Sequence, residues 1–145
     1  MKIAKYWVMI IGMLVLNVAA SSETGTLILT VAGLRNYHGA VNIAVFATAK
    51  GFPERANAAI DKRVVKLAGA DPIIEFNELP FSNYAIAVFH DENDNGRLDK
   101  NWLGIPKEGV GFSHNPKSIN GPPCFVEAKF SFSSKKQSLT IKLIY

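Results

Sequence analysis

Seven short segments of alternating apolar and polar residues predict an all-β chain, a seven-stranded antiparallel β-sandwich carrying one long irregular loop. Three observations carry this reading. Apolar residues recur at every second position, the period of a half-buried strand rather than of a helix. Gly, Pro, Asn and Asp cluster between the segments, where the chain must turn. Residues 25–145 are enough for one domain with its own core, and they contain no repeat, no low-complexity tract and no second domain.

The chain begins with material that does not belong to that fold. Lys2 and Lys5 make a short basic start, Trp7 to Leu16 are an unbroken apolar run, and Val18-Ala19-Ala20 offer small residues ahead of Ser21. This is the three-part pattern of a signal peptide over residues 1–20, with cleavage expected between Ala20 and Ser22. The apolar run is shorter than the roughly 20 residues of a membrane span. The expected location is therefore periplasmic or secreted. Of the 16 Lys and Arg residues, two fall in this leader, so the remainder nearly balances the 12 Asp and Glu. No basic run or stripe speaks for a nucleic-acid partner. Cys124 is the only cysteine, so no internal disulfide is possible, and a small buried hydrophobe is its expected role.

The strands follow in order. Gly25–Leu34 alternates with Leu27, Leu29 and Val31 on one face, and Arg35–Gly39 is a turn. Ala40–Ala47 returns with Val41, Ile43 and Val45 inward, so the first two strands read as a hairpin. Lys50-Gly51-Phe52-Pro53 stops the second strand, and Glu54–Ile60 has room for one or two helical turns. Lys62–Ala68 is the third strand, placed near an edge by its lysines. Ile73–Asn77 is the fourth, with Ile74 and Phe76 inward. Tyr84–Phe89 is the fifth, and Tyr84 just after a corner suggests a phenol bonded back to the corner backbone. Residues 91–124 form the irregular segment. Phe125–Phe132 is the sixth strand, with Val126, Ala128, Phe130 and Phe132 inward. Gln137–Tyr145 is the seventh, with Leu139, Ile141 and Leu143 inward.

Chemistry concentrates where the fifth strand ends. Asp91, Asn93, Asn95 and Asp99 fall at positions 1, 3, 5 and 9 of a calcium-type loop, with Gly96 at the sharp turn and the carbonyl of Arg97 at position 7. The bidentate Glu expected at position 12 is absent; Trp102 stands there, and Glu108 is a candidate replacement. The alternative is a solvated turn, since Asn-Gly is a preferred turn pair. His38, His90 and His114 show no metal-ligand spacing, and His90 reads as a hydrogen-bonded residue at the edge of the core. Trp102, Phe112 and Phe125 offer either an aromatic platform or the packing of the long loop on the sheet.

Several segments together resemble a known family. Gly25-Thr-Leu27, Gly51-Phe-Pro53, Ala87 to Gly96, Leu103-Gly-Ile-Pro106, Glu108 to Ser113 and Gly121-Pro-Pro123 are similar, in order and spacing, to the bacterial exported family called domain of unknown function 2141. The resemblance implies a small secreted or periplasmic protein with a prealbumin-like or immunoglobulin-like sandwich, and no established activity. Asp91 to Pro106 also resembles calcium-binding stretches in the B-type repeats of bacterial surface adhesins. These readings give a non-catalytic exported module that uses its loop for binding, with an envelope or extracellular protein or a glycan as partner. The competing reading is a small hydrolase of the transthyretin-related type. Those enzymes end in a Tyr-Arg-Gly-Ser-like tail, whereas this chain ends Ile141-Lys-Leu-Ile-Tyr145. Gly111-Phe-Ser-His114 falls short of a nucleophile elbow.

Overall fold

A computed structural model describes residues 22–117 and 121–145. The leader expected at residues 1–20 lies outside the described residues. Alternation builds eight strands: β1 (Thr24–Ala32), β2 (Ala40–Phe46), β3 (Asp61–Lys66), β4 (Ile73–Pro80), β5 (Ser82–Asp91), β6 (Val110–Phe112), β7 (Phe130–Phe132) and β8 (Lys136–Lys142). A short helix, α1 (Phe125–Ala128), and one 3-10 turn at Ala56–Ala58 interrupt them. The protein is all-β, in two sheets. One has the order β4-β1-β8. The other runs β3-β2-β5-β6, and β7 joins it by pairing with the start of β5.

Both sheets contribute to a single apolar core. Leu27, Leu29 and Val31 of β1 meet Val41, Ile43 and Val45 of β2, Ile74 and Phe76 of β4, Ile86 and Val88 of β5, Phe130 of β7 and Ile141 of β8, all buried. Leu139 is only partly buried at its edge. The inward parity read from the sequence therefore holds for β1, β2, β4 and β5. Tyr84 forms the expected corner: its buried ring packs near Phe130 and Phe132, and its hydroxyl donates to the Pro80 carbonyl at 2.7 Å.

Five expectations are corrected. β1 and β2 are not a hairpin: β1 lies between β4 and β8, while β2 lies between β3 and β5. Crossing to the other sheet lets the two apolar faces meet across the core instead of lying side by side. Nor is the pairing wholly antiparallel, because β1 and β8 run parallel from Thr26–Lys136 to Ala32–Lys142. Nearly the whole chain separates these strands, so no tight turn dictates their direction. The expected sixth strand is two elements. Cys124 opens α1, the Glu127 carboxylate accepts its N–H at 2.7 Å, and Val126 is left 72% exposed. Only Phe130–Phe132 is strand. Cys124, expected to be buried, is exposed at that helix start. Finally, the segment read as irregular contains β6, and this raises the strands among the described residues from seven to eight.

After β8 the chain changes sheets. Ile144 exchanges both backbone hydrogen bonds with Val110, at 2.8 and 2.9 Å, which brings Tyr145 over Gly109. A Cβ on Gly109 would stand 2.5 Å from the Tyr145 ring, so a side chain there would push that ring aside.

Candidate functional site

The loop after β5 gathers the predicted ligand residues. Asp91 is the last residue of the strand and is 1% exposed. Its two carboxylate oxygens accept the N–H groups of Asn95 (3.0 Å) and Gly96 (2.7 Å). The side-chain oxygen of Asn93 accepts the Asn95 N–H, and that of Asn95 accepts the Arg97 N–H. The amide groups of Asn93 and Asn95 donate to Asp99 at 2.7 and 3.1 Å. The Asn95 and Asn93 hydrogen bonds hold the Asp99 carboxyl below its ordinary range. These side chains thus wind the backbone into successive turns by occupying its donors. Gly96 takes the left-handed φ of +76° that the turn requires.

Glu108, expected as a candidate replacement for the missing ligand, fastens the loop at both ends. It is 4% exposed, and its two oxygens accept the N–H groups of Glu92 and Asp99, each at 2.9 Å. Lys66 of β3 pairs with Asp94, and Arg35 and Asn36 both bond the Glu92 carboxylate. Burial works to raise the Glu92 carboxyl, but the hydrogen bonds from Arg35 and Asn36 outweigh it and set it below its usual range. Among the described residues no group of three or more His, Cys, Asp and Glu side chains comes together as a metal site. Two of the four side chains expected as ligands are asparagines.

The three histidines do not converge. His90 is fully buried, with Nε2 2.8 Å from the His38 carbonyl and Nδ1 2.7 Å from the Tyr145 hydroxyl. A carbonyl can only accept, so Nε2 donates to it. His114 is exposed in the turn after β6. Ser113 is fully buried; its hydroxyl donates to the Ala128 carbonyl and accepts the Ile86 N–H at 2.8 Å. It ties α1 to β5. The aromatic trio also separates. Phe112 and Phe125 both pack against Phe52, which in turn meets Phe46, whereas Trp102 is 91% exposed.

Phe112 of that cluster and the Asp91 loop bound a cleft on the face of the five-stranded sheet turned away from the core. Register places Ala44 opposite Ala87 and Asn42 opposite Phe89, with Val110 and Phe112 beyond them on β6. The two alanines leave a hollow of about 1160 Å³, walled by Phe89, Phe112, Val64 and Ile105, with Lys62, Arg97 and Lys100 also lining it. The side-chain nitrogen of Asn42 is buried here without a hydrogen-bond partner among the described residues. A cleft between sheet and loop was not legible in the sequence, because Asn42, Ala44 and Ala87 look like ordinary outward positions of strands.

Fold and site together define an all-β, two-sheet protein with a hydrogen-bonded acidic loop beside an apolar cleft. The chain belongs to the family described as "Uncharacterized protein conserved in bacteria (DUF2141)", whose model matches residues 29–140. No curated protein and no solved structure matches it.

Proposed function

We propose that this chain is an exported, non-catalytic β-sandwich module of the prealbumin-like kind that binds an apolar ligand in the cleft over β2 and β5. Its shared core and its repeated crossings between sheets support the sandwich reading. The signal-peptide pattern supports export. The observation that carries the binding reading is the cleft itself: a mostly apolar hollow with one buried amide nitrogen at its floor that has no hydrogen-bond partner among the described residues. Leaving such a group unpaired costs about 1–3 kcal/mol, and a ligand that supplies an acceptor recovers it. Titration of the folded protein with an apolar fluorescent probe tests this. Saturable binding is expected. Ala87→Phe, which fills the hollow from its floor, should abolish it while the thermal melt stays cooperative. Equal probe binding by both proteins would sink the proposal.

A second reading concerns the loop that forms one wall of the cleft. Asp91, Asn93, Asn95 and Asp99, with the Arg97 carbonyl, would bind one Ca²⁺ weakly and stiffen that wall. The gathering of these four side chains around a single turn favours it. The ion would have to displace the two amide groups that now bond Asp99, so affinity should fall to about 10⁻⁴–10⁻³ M. Calcium at about ten times its dissociation constant would stabilise the fold by about 1.4 kcal/mol. Melts in chelator and in millimolar calcium decide it: superimposable curves leave the loop a plain hydrogen-bonded turn.

A further inference from the structure

At the centre of the cleft floor one polar side chain stands among apolar ones. Val64, Asn42, Phe89 and Val110 form a row across β3, β2, β5 and β6, and Lys62, Ala44, Ala87 and Phe112 form the next. Asn42 is half-buried between Val64 and Phe89, and its amide nitrogen has no hydrogen-bond partner among the described residues. Rotation about the Cβ–Cγ bond, which is broad for asparagine, turns the N–H toward the hollow and its water. A ligand that fills the hollow removes that water. The N–H then stays unpaired unless the ligand itself brings an acceptor. Above the floor, Val64, Leu103, Ile105 and Ile144 are each more than half exposed and all line the cleft. Apolar surface therefore continues from floor to rim, along a path that suits an extended chain.

We propose that the ligand of this cleft is an uncharged long-chain carbonyl compound, an ester, amide or ketone, whose oxygen accepts the Asn42 side-chain N–H while its chain lies along the apolar rim. The inference rests on the cleft reading above and adds the class of ligand. Charge on the walls selects neither sign. Arg63 pairs with Asp61, Lys100 with Glu54 and Lys66 with Asp94, while Arg97 acts on Asp99. Lys62 makes no ion pair among the described residues, but the Glu108 carboxylate also lines the cleft and Asp91 stands behind it in the loop. A carboxylate ligand would meet those two acids as well as Lys62. An ammonium ligand would meet Lys62 and offer Asn42 only another donor. A neutral carbonyl meets the one unfilled requirement of the floor and brings no charge that the walls must balance.

The test is displacement of an apolar fluorescent probe from the full chain by three ligands of equal chain length, a methyl ketone, a terminal alkene and a carboxylate, each below its micelle-forming concentration. Comparing one ligand between wild type and Asn42→Leu cancels that ligand's own tendency to leave water. The ketone should bind the variant at least about tenfold more weakly. The alkene should bind it as tightly or more so, and the carboxylate should bind both proteins more weakly than the ketone binds wild type. Asn42→Asp keeps the shape of the side chain and replaces the donor nitrogen with an acceptor oxygen, so it should weaken the ketone at least as much. Thermal melts establish that both variants fold. Probe binding with no loss of ketone affinity in either variant overturns this inference and leaves the cleft reading standing. Stronger displacement from wild type by the carboxylate than by the ketone also overturns it, because the walls would then serve an anion. Failure of the probe to bind wild type at all brings down both readings.

Discussion

Carboxylates in this protein hold loops by occupying backbone donors. Asp91 and Glu108 are nearly out of solvent, and each spends both oxygens on N–H groups. Glu92 plays the same part with side chains, joining the β1–β2 connection to the loop through Arg35 and Asn36. Its carboxyl is held below the ordinary value of 4.5, so the folded state favours the ionised form. The stability this gives is fully present above pH 4.5 and is lost as the pH falls through the lower folded-state value. Glu92→Gln should therefore lower the melting temperature at neutral pH, and the gap to wild type should close on acidification. A gap that stays constant from neutral to strongly acidic pH would show that the ionised form is not what matters.

Elements are placed by their ends as much as by their faces. Tyr84 locks the tight β4–β5 corner, where the chain leaves one sheet at Pro80 and enters the other at Ser82. Burial raises its phenol pKa, which keeps the hydroxyl protonated and able to donate to the Pro80 carbonyl. Tyr84→Phe keeps the ring and deletes that bond, at a cost of about 1 kcal/mol in chemical denaturation. A loss near zero would mean that water serves the Pro80 carbonyl equally well. At the β2 end of the same sheet, Gly39 has a φ of +69°, and a Cβ there would fall 1.9 Å from the Asp91 carbonyl oxygen. The approach of the β1–β2 connection to the Asp91 loop rests on that missing side chain.

At the scale of the molecule, the fold is closed by its last strand. β8 pairs in parallel with β1, and the residues after it bond β6 in the other sheet. Ile141 is fully buried at this junction, while Leu139, two residues earlier, is only partly so. Ile141→Ala should cost about 2–5 kcal/mol. Leu139→Ala should cost clearly less, because part of its surface already meets water. Equal losses at the two sites would place the end of the core wrongly. Among the described residues no helix is long and apolar enough to cross a membrane.

The sequence by itself determined the all-β class, the inward residues of β1, β2, β4 and β5, the Tyr84 corner and the loop that unites Asp91, Asn93, Asn95 and Asp99. Each of these is written locally, in a period of two or in the spacing of neighbouring side chains. Tertiary structure decided the rest. Alternation says which face of a strand is buried but not which strand lies beside it, so the separation of β1 from β2 and the parallel β1–β8 pair were invisible. Four residues are too few to distinguish a strand from a helical turn, and the Glu127 bond to the Cys124 N–H made residues 125–128 helical. The cleft needs Ala44 and Ala87 from strands about forty residues apart in sequence to stand side by side. Nothing local marks two alanines as a floor; only pairing between distant segments does.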